Sequence, residues 1–370
     1  MMETNYRPTK AIIDLTAIDH NIKALKKRVN GAKLMAVVKA DAYGHGVLEI
    51  ARQAMESGAS MLAVATPDEA LYLREMGSDA ELLVMGASPV RFIKEAIKHD
   101  INLTAYSVEW LEAAAEELKS ADDPLKIHLK FDTGMRRIGF QPEEADAAFQ
   151  FVGRHPFSVK GLFTHFATAD EADNPLFLRQ VEEINAIRKK WQGDRLMFHV
   201  SNSAAAILHP ELSFDAVRTG ISIYGIAPSA YVKKEMPFEL KQVMSLETEI
   251  IHVKKVKEGE TLSYGATYTC EQDEWIGTLP IGYADGLIRG LQGQAVLVRG
   301  QRMPIVGRIC MDQCMIRLTG KFPVGEGVQL LGFQKGESIL IEEWAEKLET
   351  IPYEIPCILT KRVPREYVRA

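Results

Sequence analysis

Several things are scarce in this sequence, and each shortage closes off a class of protein. No apolar run approaches the ~18 residues of a membrane-spanning helix, so no span is expected. The stretch Met1 to Lys10 is polar and holds no apolar core of a secretory leader, so none is expected there either. Cysteine is rare: Cys270, Cys310, Cys314 and Cys357 are the four in 370 residues. That is too few for a disulfide scaffold in a chain of this length. Cys310 and Cys314 stand four apart, but no His or Cys completes a zinc-like spacing. No metal site is expected, and the thiols read as reduced ones in a cytoplasmic protein. Basic runs are missing, and 44 Lys+Arg against 50 Asp+Glu leave a charge of −6. That balance argues against a nucleic acid or an anionic membrane as partner. Neither a Gly-x-Gly-x-x-Gly turn after the first strand nor a Gly-x-x-x-x-Gly-Lys-[Ser/Thr] loop is present, so the usual nucleotide cradles are excluded.

What is present looks like an ordinary globular chain, with 46% hydrophobic and 25% charged residues. Its length predicts two domains. Ala11 to Leu15 reads as a short strand, and Thr16 as the N-cap of a helix with Ile18, Ile22 and Leu25 on one face. A rhythm follows. Strand candidates begin near Leu34, Met61, Glu81, Ile101, Leu125, Val159, Leu196 and Phe214. Helical stretches lie between them, among them Pro67 to Gly77, Val108 to Leu118 and Pro175 to Trp191. Strands alternating with helices in this number predict a (β/α)8 TIM barrel, with a doubly wound open sheet as competitor. After about Ser229 the pattern changes to short alternating runs broken by glycine, such as Glu247 to Val256, Gln294 to Val298, Met303 to Val306 and Gly327 to Leu331. One helix candidate, Ser338 to Leu348, interrupts them. The expected organisation is a barrel over residues 1–230 and a mostly β C-terminal domain over 231–370, with residues 1–15 free to pair with the second domain instead.

In a barrel of this kind chemistry sits at the C-terminal ends of the strands. The first strand runs through Leu34-Met35-Ala36-Val37-Val38 to Lys39. A lysine at the end of a buried strand is poorly solvated, which lowers its pKa and frees its amine to act as nucleophile or base. The fifth strand runs into Lys130 and then Asp132 to Arg137, the sixth into His165, the seventh into Asn202-Ser203, and the eighth into Arg218-Thr219-Gly220-Ile221. An amine, cations, an imidazole and small hydroxyls would then ring one mouth. The loops after strands seven and eight are the usual phosphate site of this fold. They offer Ser203 and the backbone amides around Gly220 and Ile221, where glycine allows close approach. A Schiff-base lysine opposite a phosphate pocket points to pyridoxal 5′-phosphate.

Here the sequence resembles the alanine racemase family over nearly its whole length. The resemblance is carried by Ala36 to Gly46, Lys130 to Met135, Thr164 to Asp170, Asn202 to Ala205 and Arg218 to Ile221. It continues through Leu262 to Tyr268, Pro280 to Gly286, Val306 to Gln313 and Arg362 to Arg365. It implies a homodimer whose active sites join one barrel to the partner's β domain. By that pattern Lys39 carries the cofactor, and Tyr43, Ser203, Gly220, Ile221 and Tyr353 hold its phosphate, beside Asn202. Arg218 faces the ring nitrogen with His165 hydrogen-bonded behind it. Arg137 and the partner's Met311 contact the substrate carboxylate. Lys39 and Tyr264 serve opposite faces of the α-carbon, Tyr264 coming from the partner. Nearby cations, Arg218 or Arg289, would favour its phenolate. Tyr283 and Asp312 belong to the same motifs. Lys130 is a candidate for carbamylation beside Arg137, with an ion pair to a carboxylate as the alternative. One position departs from the pattern: Arg136 stands where the family has glycine, and whether it competes for the anion or faces solvent stays open. The function implied is a pyridoxal-phosphate racemase of L- and D-alanine. A racemase of serine or other small amino acids, a barrel-type decarboxylase, and a non-catalytic cofactor-binding protein are the alternatives.

Overall fold

A computed structural model describes residues 6–120 and 123–369. The N-terminal expectation for residues 1–5 therefore lies outside the described residues. The chain divides into two compact units. One holds Ile18–Ala42 and Gly46–Lys241; the other holds the remaining described residues, namely the N-terminal strand, Tyr43–His45 and the chain from Gln242 onward.

The first unit is a barrel. After the N-terminal strand β1 (Lys10–Asp14), its strands are β2 (Lys33–Val37), β3 (Met61–Val64), β4 (Leu82–Val84), β5 (Ile101–Ala105), β6 (Leu125–Lys130), β7 (Phe157–Phe163), β8 (Met197–His199) and β9 (Ala216–Thr219). All pair in parallel, in the order β8-β7-β6-β5-β4-β3-β2-β9. The ends of that path meet: Asp215 N donates to Phe198 O at 3.2 Å and Arg218 N to Ser201 O at 2.9 Å. Every residue of β3, β4 and β5 is buried, as expected where helices cover one face of a sheet and barrel packing fills the other. The register between β6 and β7 slips after Ile127, so that His128 lies opposite Gly161. A Cβ on Gly161 would stand 2.3 Å from His128 Nδ1, so only glycine fits there.

Local chemistry explains most helix starts. Thr66 and Glu69 form a capping box at the head of helix Pro67–Glu75, and Ser107 caps Val108–Leu118. The expected cap at Thr16 is displaced. The helix begins at Leu15, and Asp14 Oδ1 accepts from Thr16 N at 2.8 Å and Ala17 N at 3.1 Å. Asp14 stands directly before the first helical residue, where a side-chain oxygen takes the second and third N–H groups of the first turn.

The second unit is built on a sheet of order β11-β14-β17-β16-β15-β18-β10-β1-β20, with β19 on β18. Its strands are β10 (Met244–Glu249), β11 (His252–Val256), β12 (Thr261–Leu262), β13 (Tyr268–Thr269), β14 (Glu274–Leu279), β15 (Ala295–Val298), β16 (Gln301–Val306), β17 (Cys314–Leu318), β18 (Gly327–Gln334), β19 (Glu337–Ile339) and β20 (Arg365–Val368). β12 and β13 make a separate hairpin. Strand β1 enters this sheet, antiparallel to β10 and parallel to β20. The run from Glu247 to Val256 is two strands, because Ile250 and Ile251 turn to bond Glu326 and Thr278. Ser338 belongs to β19, and the helix that follows is Ile341–Lys347.

Candidate active site

Lys39 follows β2 and is half-buried. The backbone beyond it does something its sequence does not announce. Ala40, Asp41, Ala42 and Tyr43 take φ of 53°, 53°, 53° and 52°, a left-handed turn without glycine. Each L-residue so placed costs roughly 1–2 kcal/mol. Hydrogen bonds hold the turn. Ala40 N donates to Glu69 Oε1 at 2.6 Å, Ala42 N to Val38 O at 3.0 Å, and Val47 N to Asp41 Oδ1 at 2.8 Å.

Arg218 lies within β9, not beyond it, and is 4% exposed. Its guanidinium donates to Thr164 O at 2.7 Å, Val200 O at 3.2 Å, His199 O, and His199 Nδ1 at 3.0 Å. Burial and the charge of Arg137 lower its pKa to about 9, so it stays charged at neutral pH. Where the resemblance puts His165 behind Arg218, the structure puts His199. Arginine can only donate, so His199 Nδ1 accepts and its proton sits on Nε2. That proton goes to His128 Nδ1 at 2.8 Å, which leaves the His128 proton on a buried Nε2 without a partner. Burial and Arg218 hold His128 down to about 3, and burial with His128 and Arg218 holds His199 well below the usual imidazole range. Both rings are neutral, which suits a fixed chain of donors better than a site that titrates.

Lys130 ends β6 and is 6% exposed. Burial, then Arg137 and Arg218, bring its pKa from 10.5 to about 7, against a smaller opposing effect of Asp132. Among the described residues it makes no ion pair, so the alternative of a plain pair to a carboxylate is not what the structure shows. Arg137 is exposed, yet its charge also depresses His165 and Arg218. His165 is half-buried and held well below the imidazole range by burial, then by Arg218, Arg137, Lys130 and Lys39. Four cations and a neutral imidazole thus share one field. Arg136 does not compete for it: its guanidinium donates to Gln141 Oε1 at 2.8 Å on the exposed side. Its φ of 57° gives the reason a glycine suits that position.

Lys130 yields a test of this field. Between pH 7 and 10 the unfolded chain binds more protons at this amine than the folded one, so the stability it contributes rises with pH. Lys130→Met should raise Tm most at pH 7 and least near pH 10, measured by thermal melts in carbon-dioxide-free buffer. An equal gain at both pH values would show that the amine is not depressed.

The loops after β8 and β9 meet through Ser203 Oγ, which accepts from Gly220 N at 3.0 Å. Asn202 caps the helix Ser203–Leu208 through Ala205 N and donates to Phe166 O at 3.1 Å. Helical turns start at Ser203 and at Ile221, where first-turn N–H groups lack partners within the helix. Thr219 Oγ1 and Ser222 Oγ, on either side of Gly220 and Ile221, are buried without a partner. Orphaned hydroxyls and open amides fit a phosphate group. Gln180, which the sequence did not single out, braces this end by bonding Ala167 N, His165 O and Thr133 Oγ1.

In the second unit the Tyr43 and Tyr353 rings lie 6.4 Å apart, and burial pushes the Tyr43 phenol up, so it remains a neutral donor. Tyr264 is 73% exposed on a turn with φ of 67° at Ser263 and 73° at Gly265. Ser263 Oγ donates to Arg308 O at 2.6 Å, which ties that turn to the loop carrying Met311. Met311 is exposed, and its carbonyl accepts from Ala284 N, beside the exposed Tyr283. Asp312 Oδ1 accepts from Arg362 at 2.8 Å. Arg289 is exposed on the turn Arg289–Leu291.

An amine at the first strand's mouth, four cations sharing one field and a pair of loops whose open groups suit an anion mark that end of the barrel as the candidate site. The comparisons with known proteins narrow the class. The family model described as alanine racemase, N-terminal domain, matches residues 13–228, and that described as alanine racemase, C-terminal domain, matches 243–367. An alanine racemase of Halalkalibacterium halodurans is 48% identical over 377 residues, covering 100% of this chain and 97% of that protein. The crystal structure of alanine racemase from E. faecalis superposes with TM-score 0.96 at 44% identity, covering 100% of both chains. A histidine racemase from Leuconostoc mesenteroides is also similar, at TM-score 0.93 and 33% identity over 99% of each chain. The chain belongs to the alanine racemase family.

Proposed function

We propose that this protein interconverts L- and D-alanine, using pyridoxal 5′-phosphate, as a homodimer in the cytoplasm. The residues fit that cofactor. Lys39 would bind it covalently, Ser203, Gly220 and Ile221 would hold its phosphate, and Arg218 would donate to its ring nitrogen. When bound, the cofactor draws electrons from the substrate's α-carbon and so eases loss of the proton there. The rest is work for the chain's own groups. Lys39 moves the proton on one face, and Tyr264 of a second copy moves it on the other, so the substrate need not turn over. Arg137, with Met311 of a second copy, orients the carboxylate. A near-neutral Lys130 is nucleophilic enough to take up carbon dioxide, and as a carbamate it would brace Arg137 with an anion.

The observation that carries the reading is Arg218. It is a donor only, fixed by three carbonyls, and charged at neutral pH. It has no proton to give readily to a ring nitrogen, which limits decarboxylation and transamination. A carboxylate in its place would favour those reactions. Four free thiols support the compartment proposed.

The test is a chiral assay on enantiopure substrates with cofactor supplied. L-alanine should drift to an equal mixture, faster than L-serine or L-histidine. Release of carbon dioxide would move the reading to a decarboxylase, and a preference for histidine would move it to a relative of different specificity.

A further inference from the structure

We propose that Glu69 is a positioning residue for Lys39: its carboxylate ties the backbone behind the lysine to the neighbouring loop of the barrel. The proposal rests on the reading of Lys39 as the reacting amine. Glu69 sits in the first turn of helix Pro67–Glu75, and its capping box would be a sufficient reason for a glutamate there. The structure shows it doing more. Oε2 accepts from Ala65 N at 2.7 Å and Thr66 N at 3.2 Å, just past β3. Oε1 reaches across and accepts from Ala40 N at 2.6 Å, just past β2. These strands are parallel neighbours, with Met35 opposite Met61, so both loops lie at the C-terminal mouth.

Ala40 is the residue after Lys39 and the first of the left-handed turn. The far end of that turn is held by Asp41, whose side chain accepts from Val47 N and whose carbonyl accepts from Gly46 N. The near end, where the lysine is, is held by Glu69. A conformation that L-residues resist persists only where its surroundings enforce it. Three N–H donors converge on Glu69, and only an ionised carboxylate offers acceptors to all of them. A glutamine would turn an NH2 toward at least one N–H.

The experiment compares holoenzymes matched for cofactor content: wild type, Glu69→Gln and Thr66→Ala. The last removes the Oγ1 cap of the same helix and leaves the Ala40 bond intact. Two quantities are read: kcat and KM for L-alanine, and amide hydrogen–deuterium exchange over the peptide from Lys39 to Gly46. Glu69→Gln should lower kcat by about 10- to 100-fold with KM little changed, because a reacting group displaced by an ångström loses about that much. Exchange in the peptide should speed up at least about tenfold, as a released hydrogen bond allows. Thr66→Ala should match wild type in both. A Glu69→Gln enzyme with wild-type kcat overturns the proposal. So does an equal loss in both variants, which would leave Glu69 a helix cap. If Glu69→Gln does not fold, Glu69→Asp takes its place: the shorter side chain cannot span both loops, and wild-type kcat and exchange there overturn the proposal. A wild-type protein inert toward alanine would sink the functional reading instead, while the exchange comparison would still decide the role of Glu69.

Discussion

Lys39→Ala should stop alanine racemisation in both directions, with kcat/KM down by about 10³-fold or more, since one group is both covalent anchor and proton carrier. The fold should survive. Lys39 is half-buried beyond the end of β2, and the core of the barrel lies in strands such as β3 to β5, which are buried throughout. Thermal melts of the variant should therefore stay near wild type. The absorbance of lysine-bound cofactor should vanish, and added methylamine should restore part of the rate by standing in for the missing amine. Retention of a tenth or more of wild-type activity would remove Lys39 from both roles.

Tyr264→Phe should lower racemisation by about 10²–10⁴-fold, the usual worth of a positioned proton donor and acceptor. The loss must be the same in both directions, because the enantiomers have equal free energy and kcat/KM cannot differ between them. The distinguishing signal lies elsewhere. In deuterated water one enantiomer should still exchange its α-proton without inverting, through Lys39, while exchange from the other falls with racemisation. Phenylalanine keeps the ring, and Tyr264 is largely exposed in this chain, so stability should not change. Equal residual exchange from both enantiomers would take Tyr264 out of the reaction.

Much of the barrel was readable because its strands are short apolar runs separated by well-capped helices. Helix Val108–Leu118 was bounded to the residue, since Ser107 and a run of strong helix formers speak clearly. The strand ends placed Lys39, Lys130, Asn202 and Ser203 near one mouth for the same reason. Other features depend on distant partners and carry no local signal. Which imidazole meets Arg218 is decided by how β7, β8 and β9 stack, and His199 could have been found only by asking which residues of Met197–His199 point inward. His128 needed the register slip opposite Gly161 as well. Gln180 looked like one more polar residue on a long helix, yet it is fully buried. The left-handed turn was the least legible. Nothing in Ala40-Asp41-Ala42-Tyr43 favours it over a right-handed one, and it exists because Glu69, Asp41 and Val38 supply its bonds.

That turn has a stereochemical consequence. At Ala40 φ and ψ are both 53°, the mirror image of an ordinary helical residue, and the side chain is exposed. A D-alanine built into that position by chemical ligation would sit in its own preferred well, whereas in Val108–Leu118 it would break the helix. In a protein proposed to make D-alanine, the residue next to the working lysine is one where the opposite hand would be at home.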